Sequence, residues 1–273
     1  MKIQRLTFLF CCSILLLSCG NSDNELSSLV EKRAYTKALQ WIKDNPEKPV
    51  NVNDMIHVAR HFRERVNFEI AQPILEEVIK RDSGNVPGRL LLADVYREQS
   101  MFNEALALYN KIVDIDSVRF IVLAERSRLY THIGESEKAE RDIVESKSMQ
   151  PKYYATFLAD GLLQYSKGDT EHALDLFEIA ESLDPGLSAE ASYYAGYILL
   201  KNKSNYDAMG KFTRAIEVGR NINKGHAFIN RGVCQINIQD SAFACIDWDS
   251  AMAYAPVEAQ TYLDNYCKNF RKK

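Results

Sequence analysis

Small side chains punctuate the chain at a nearly fixed interval. Ala71, Ala105, Ala139 and Ala173 stand 34 residues apart, and Ala208 and Ala244 follow after 35 and 36. With that alanine as position 20 of each unit, position 8 is Ala59, Ala93, Ser127, Gly161, Gly196 and Gly232, all small. Position 24 is Leu75, Tyr109, Ile143, Phe177, Phe212 and Trp248, all large and apolar. Position 27 is Val78, Ile112, Ser146, Ala180, Ala215 and Ala251, and position 32 includes Pro151, Pro185 and Pro256. A period of this length marks stacked supersecondary units. Each unit predicts two antiparallel helices, A then B. Small residues at 8 and 20 let the two backbones approach, and the large residue at 24 fills the space between them. Proline near 32 ends helix B, because it cannot donate to the preceding turn and clashes with it. One pair alone cannot bury its apolar face, so neighbours stack and share a core.

These residue classes in this register resemble the tetratricopeptide repeat over about residues 52–256. The resemblance implies an all-α fold: an α-solenoid, a right-handed superhelix of about six helix pairs. The pairs fall at residues 52–85, 86–119, 120–153, 154–188, 189–224 and 225–257. Repeat 3 departs from the pattern with Ser127, Ser146 and the polar Arg126, and repeat 5 lacks the proline. The stretch from Gly219 to Gly225 lengthens the link between repeats 5 and 6, so a kink is expected there.

Both ends of such an array need covering. Before repeat 1, residues 26–51 read as one N-terminal helix, a half repeat in helix-B register, since Ala38 lies 33 residues before Ala71. Asn45 and Pro46 end it. After repeat 6, residues 258–273 predict a capping helix whose Tyr262, Leu263, Tyr266, Cys267 and Phe270 share one face.

The first residues have another character. Lys2 and Arg5 precede an apolar run from Leu6 to Leu17, too short for the roughly 20 residues that span a bilayer. Leu16-Leu17-Ser18-Cys19 follows and resembles the lipobox of bacterial lipoproteins. That resemblance implies a signal peptide over residues 1–18, removal of which leaves Cys19 as the N-terminus carrying acyl chains such as palmitate. Several chains together anchor stably. Gly20 in place of an aspartate leans toward the outer membrane by the sorting rule of enteric bacteria, on its periplasmic face or at the cell surface. Residues 19–25 then form a short polar tether, which holds the array within about 15 Å of the bilayer.

Composition narrows the function classes. Apolar residues make up 46% and charged residues 26%, with only 12 Gly and 7 Pro, which is a folded helical chain rather than a disordered or sheet-rich one. The net charge of −3 becomes −5 without Lys2 and Arg5, so no global field favours nucleic acid. Beyond the leader, cysteine is confined to Cys234, Cys245 and Cys267, too few for a disulfide framework. Ala244-Cys245-Ile246-Asp247-Trp248 ahead of Tyr266-Cys267 resembles a terminal-repeat pattern of tetratricopeptide lipoproteins, and that likeness implies a Cys245–Cys267 disulfide. Two reduced residues packed against the cap, or a bond from Cys234, remain open alternatives.

Candidate chemistry is sparse. There is no phosphate-binding loop, no glycine-rich strand-to-helix turn and no serine-hydrolase elbow. His57 and His61 are four apart on a predicted helix but lack a third ligand, so no metal, cofactor or catalytic residue is expected. Function should instead lie in the groove lined by the A helices. In the family, positions 2, 5, 9, 12 and 13 face it. They give an arginine-bearing half with Arg60, Arg63, Arg97 and Arg128, and an aromatic-aliphatic half with Leu158, Tyr165, Tyr193, Tyr197 and Ile229. A peptide with an acidic end and an apolar end would match them. The competing reading has the tyrosines packed between helices and the arginines paired with Asp94 and Glu98. The lysine and asparagine clamp of chaperone-tail receptors is missing. The expected role is an envelope scaffold or adaptor holding a protein or peptide partner. Similar repeat lipoproteins serve in outer-membrane assembly, as pilotins and as hydrolase adaptors. The alternatives are binding of a glycan or lipid in the apolar half, and self-association.

Overall fold

The computed structural model describes residues 22–115, 117–219 and 222–267. Among them are fifteen helices and no strand. The N-terminal pair is α1 (Ser22–Glu31) and α2 (Tyr35–Asp44). Six further pairs are α3 (Val52–Arg63) with α4 (Phe68–Arg81), α5 (Val86–Glu98) with α6 (Phe102–Ile112), α7 (Arg119–His132) with α8 (Ser136–Met149), α9 (Tyr154–Lys167) with α10 (Thr170–Leu183), α11 (Ala189–Lys201) with α12 (Asn205–Val218), and α13 (Ile222–Asn237) with α14 (Ser241–Ala251). The last helix is α15 (Pro256–Tyr266). Each helix packs on its chain neighbours, so the pairs pile up in sequence order.

A repeated turn joins A to B in every pair. Arg33, Val66, Ser100, Gly134, Gly168, Lys203 and Gln239 all have positive φ, between 54° and 87°. In each case the following N–H donates to a carbonyl five residues back: Ala34 to Leu29, Asn67 to Phe62, Met101 to Tyr96, Glu135 to Tyr130, Asp169 to Gln164, Ser204 to Leu199 and Asp240 to Gln235. This hydrogen bond satisfies an orphan carbonyl at the end of helix A and reverses the chain. Only two of the seven turn residues are glycine, so the helix boundaries are poorly marked in the sequence.

The Arg33 turn corrects the reading of the N-terminus. Residues 26–44 are not one half repeat. They are split at Arg33 into α1 and α2, which form a complete seventh pair. Ala38 holds position 20 and is fully buried, but position 8 is Leu26, large and almost fully buried, so the pair escaped the small-residue test. Helix α1 also begins at Ser22, inside the stretch expected to be a polar tether. The leader and Cys19 lie outside the described residues.

The position 8 and position 24 pairing is visible atom by atom. A Cβ on Gly161 would meet the Phe177 ring at 2.6 Å, one on Gly196 the Phe212 ring at 2.9 Å, and one on Gly232 the Trp248 ring at 2.5 Å. In repeats 4 to 6 the aromatic ring therefore lies directly on the facing backbone. Repeat 3 replaces this packing with polar bonds. Ser127 Oγ donates to the Ala124 carbonyl at 2.7 Å, and Ser146 Oγ is 2.7 Å from Thr156 Oγ1 and donates to the Phe120 carbonyl at 2.8 Å. Arg126 grips Asp142 with both arms, at 2.7 and 2.8 Å. The same two positions of repeat 6 hold Arg231 and Asp247 at 2.8 and 2.7 Å.

The long link expected between repeats 5 and 6 is largely helix, since α13 begins at Ile222. Gly225 lies inside it because a Cβ there would sit 2.9 Å from Tyr254 Cβ and 3.0 Å from Ala255 Cβ, in the loop ahead of α15. Pro256 starts α15 rather than ending α14, the first-turn position where its missing N–H costs nothing. A disulfide joins Cys245 of α14 to Cys267 at the end of α15, with Cα atoms 5.8 Å apart, and Cys234 is free and buried. Trp248 is fully buried, donates from Nε1 to the Ile229 carbonyl at 3.1 Å and stacks on Tyr262. The cap is thus fastened by one covalent bond and one aromatic sandwich.

Candidate partner-binding groove

Four of the A helices pack directly on the next A helix: α1 on α3, α3 on α5, α7 on α9 and α11 on α13. No B helix packs on the next B helix to a comparable extent. The stack is therefore tighter along the A helices, which places them on its inner, concave side. Two adjoining cavities open there. One has a volume of about 320 Å³ and the other about 500 Å³, and both are lined by Arg97, Glu98, Arg128, Glu190 and Asn223.

The first cavity holds a network of charges. Arg63 donates from Nε to Glu98 at 3.2 Å, pairs with it again through Nη2, and lies 3.5 Å from Asp94. Arg128 donates to Glu125 at 2.8 Å within α7 and to Glu190 of α11, two repeats away. Asp94 also accepts from the buried Tyr109 hydroxyl at 3.1 Å. Arg97 approaches Asp94 and Glu98 only at 4.0 and 3.8 Å. Both distances exceed a hydrogen bond. Its buried Nε has no acceptor.

Burial and charge compete at the carboxylates. Burial pushes the Glu98 pKa above the ordinary carboxylate value, and the nearby Arg63 only partly offsets this. Burial acts the same way on Glu190, but the Arg128 and Arg97 charges and the Arg128 hydrogen bond outweigh it and hold that pKa low.

The aromatic half adjoins this network. Tyr165 of α9 lies 6.4 Å from Tyr194 and 6.5 Å from Tyr197, both on α11, and Tyr193 continues the row toward His226 of α13. All four tyrosines are half-buried. Tyr165 and Tyr194 line the second cavity with Phe102, Leu129 and Leu162. Burial raises the hydroxyl pKa of Tyr193 and Tyr194 to about 12, so both remain neutral donors.

The structure brings together Arg63, Arg97 and Arg128; of the three predicted tyrosines only Tyr165 lines a groove cavity, while Tyr193 and Tyr197 pack against the core around Phe212. Arg60 is exposed, forms no ion pair among the described residues and lines neither groove cavity. Position 5 does not face the groove in general: Ile56, Leu158 and Ile229 are 4%, 3% and 1% exposed and belong to the core. Arg63 and Arg128 are already bound to acids, so the arginine half does not present three free guanidiniums to an acidic partner. Glu125 and Glu190 were not singled out from sequence. Glu125 was legible, three residues before Arg128 on one helix. Glu190 was not, being 62 residues away. His61 stacks on Tyr35 at 3.9 Å, with its Nδ1 2.9 Å from Arg65.

An ordered pile of helix pairs with an open inner face defines the α-solenoid class. The tetratricopeptide repeat family model matches residues 59–118 and 158–221. A tetratricopeptide repeat protein from Parabacteroides merdae superposes with a TM-score of 0.63 at 16% identity, covering 87% of this chain and 94% of that one. The Cut9–Hcn1 hetero-tetramer of the APC/C gives 0.59 at 15% identity, covering 88% of this chain and 48% of that one. PilF of Pseudomonas aeruginosa gives 0.51 at 17% identity, covering 78% and 97%. Residues 59–118 and 158–221 are tetratricopeptide repeats, set in an all-α solenoid of helix pairs. Proteins of this fold are in general non-catalytic scaffolds for protein–protein contacts.

Proposed function

We propose that this chain is a membrane-anchored adaptor of the bacterial cell envelope that holds a segment of a partner protein in the groove of its A helices. The observation that carries the reading is the pair of adjoining cavities on the inner face, one polar and one walled by half-buried tyrosines. Tyrosine supplies rigid amphipathic contact area at small entropic cost, which suits recognition of a peptide. Anchoring rests on the sequence alone, on Leu16-Leu17-Ser18-Cys19 after an apolar run, with the lipid on Cys19 and the outer membrane as destination. Two residues separate Cys19 from Ser22, where α1 begins, so three chain steps span at most about 11 Å. The array would sit against the bilayer, and a partner embedded in or lying on that membrane fits best.

Crosslinking in the native host followed by pull-down from solubilised envelopes tests the reading. A stoichiometric protein partner is expected. No partner, together with thermal stabilisation of the purified protein by a glycan or lipid, would replace it with the ligand-binding alternative. Metabolic labelling with an alkyne palmitate tests the anchor separately: label is expected on the wild type and absent from Cys19→Ser.

A further inference from the structure

Arg97 is the one guanidinium of the charged cavity that makes no hydrogen bond among the described residues. Arg63 donates to Glu98, and Arg128 donates through both Nη atoms to Glu125 and Glu190, although its own buried Nε, like that of Arg97, has no acceptor. Arg97 lies between them on α5. Its Nη2 stays 3.8 and 4.0 Å from the nearest carboxylates, and its Nε is buried without an acceptor. A buried donor left unpaired is costly, and a guanidinium offers five donors in a fixed fork. Arg97 lines both cavities and its side chain is 20% exposed, so its Nη donors, and not the enclosed Nε, meet the space a ligand would fill.

The charge around it selects the acceptor. Carboxylates outnumber guanidiniums among the described residues lining the first cavity. An incoming anion would meet Asp94 and Glu98 beside Arg97, and like charges at this range repel strongly in a partly buried site. A neutral acceptor takes the same charge-assisted hydrogen bonds without that repulsion. The adjoining cavity, with Phe102, Leu129, Leu162, Tyr165 and Tyr194, takes an apolar side chain next to it.

Building on the groove reading above, we infer that Arg97 is the anchor for an uncharged oxygen acceptor of the partner, a carboxamide or main-chain carbonyl flanked by a large apolar residue. The partner segment is therefore neutral where it meets the arginines, in contrast to the acidic end that the sequence suggests.

The test uses the full chain and two peptides, acetyl-Gly-Phe-Gln-Leu-Gly-amide and its counterpart with Glu in place of Gln. Binding is followed by the Arg97 Nε–H resonance in nitrogen-15 NMR spectra. The Gln peptide is expected to shift that resonance saturably and to bind about tenfold more tightly than the Glu peptide. Arg97→Lys keeps the charge, loses the fork, and is expected to weaken the Gln peptide by a similar factor. Equal or tighter binding of the Glu peptide, or no shift at Arg97 with either, overturns the assignment. Binding that moves only tyrosine resonances and ignores Arg97→Lys also overturns it, yet leaves the groove as a partner site. Failure of the groove itself would show in the crosslinking experiment instead.

Discussion

A methyl group on Gly161 would lie 2.6 Å from Cε1 of Phe177, on the facing helix of the same repeat. The ring rests on bare backbone, and this contact recurs at Gly196 with Phe212 and Gly232 with Trp248. It is the local rule from which the stack is built.

Substituting alanine tests that rule. Gly161→Ala and Gly232→Ala should destabilise by about 1–3 kcal/mol through overpacking. Gly232 should sit at the upper end, because Trp248 is held by the Ile229 carbonyl and by Tyr262 and cannot swing away. Gly210→Ala is the control: nothing lies within 4 Å of its Cβ and it is inside α12, so a gain of up to about 1 kcal/mol is expected. Urea denaturation of the three variants measures the order. Equal losses at all three sites would mean the aromatic contact is not the constraint.

The paired arginine forks of repeats 3 and 6 make a second expectation. Asp142 and Asp247 are 6% and 4% exposed. Asp247→Ala strands Arg231 in the wall and should cost about 3 kcal/mol, whereas Arg231→Met with Asp247→Leu should recover most of it. Thermal melts of the single and double variants read this directly. A double variant no better than the single one would mean that the pair itself, and not the stranded charge, sets the loss.

Reduction should loosen one end only. The Cys245–Cys267 bond closes a loop of 22 residues, for which chain entropy gives about 3 kcal/mol. With a reductant, hydrogen exchange of amides in α15 should quicken by about two orders of magnitude, while α3 to α12 change little. Uniform quickening along the chain would contradict the nearest-neighbour character of the stack.

The two buried glutamates should respond oppositely to pH. Glu190 has a lowered folded pKa, so its stabilisation is present above the ordinary carboxylate value of 4.5 and is lost as pH falls through the folded value. Glu98 has a raised folded pKa, so its contribution is present below 4.5 and is lost as pH rises through the folded value. The stability gap between wild type and Glu190→Gln should therefore shrink on acidification below pH 4.5. That between wild type and Glu98→Gln should move against the protein on raising pH above 4.5. Denaturant midpoints across pH 3 to 8 decide it, and parallel trends would refute the assignment of opposite shifts.

Much of the fold was legible because it follows from side-chain size at a fixed spacing. The six pairs, the covering helix and the Gly161, Gly196 and Gly232 contacts all follow from that rule. The seventh pair was hidden because Leu26 stands where a small residue signals helix A, and Arg33 makes a turn that glycine usually marks. The groove was half legible. Spacing could place Arg63, Arg97 and Arg128 on A helices, but whether each was already neutralised depended on Glu190, which reaches Arg128 only through the curvature of the stack. Position 5 turns into the packed core instead: Leu158 lies with Phe177 and Ile198, and Ile229 with Trp248 and Leu263.

The central claim is that the inner face of the A helices holds the partner. Benzoylphenylalanine placed at Tyr165, on that face, and in a separate variant at Ile179, exposed on a B helix, tests it most directly. On irradiation in the native envelope, one discrete crosslinked protein is expected from position 165 and none from position 179. The same protein captured from position 179, with nothing from position 165, would contradict the account.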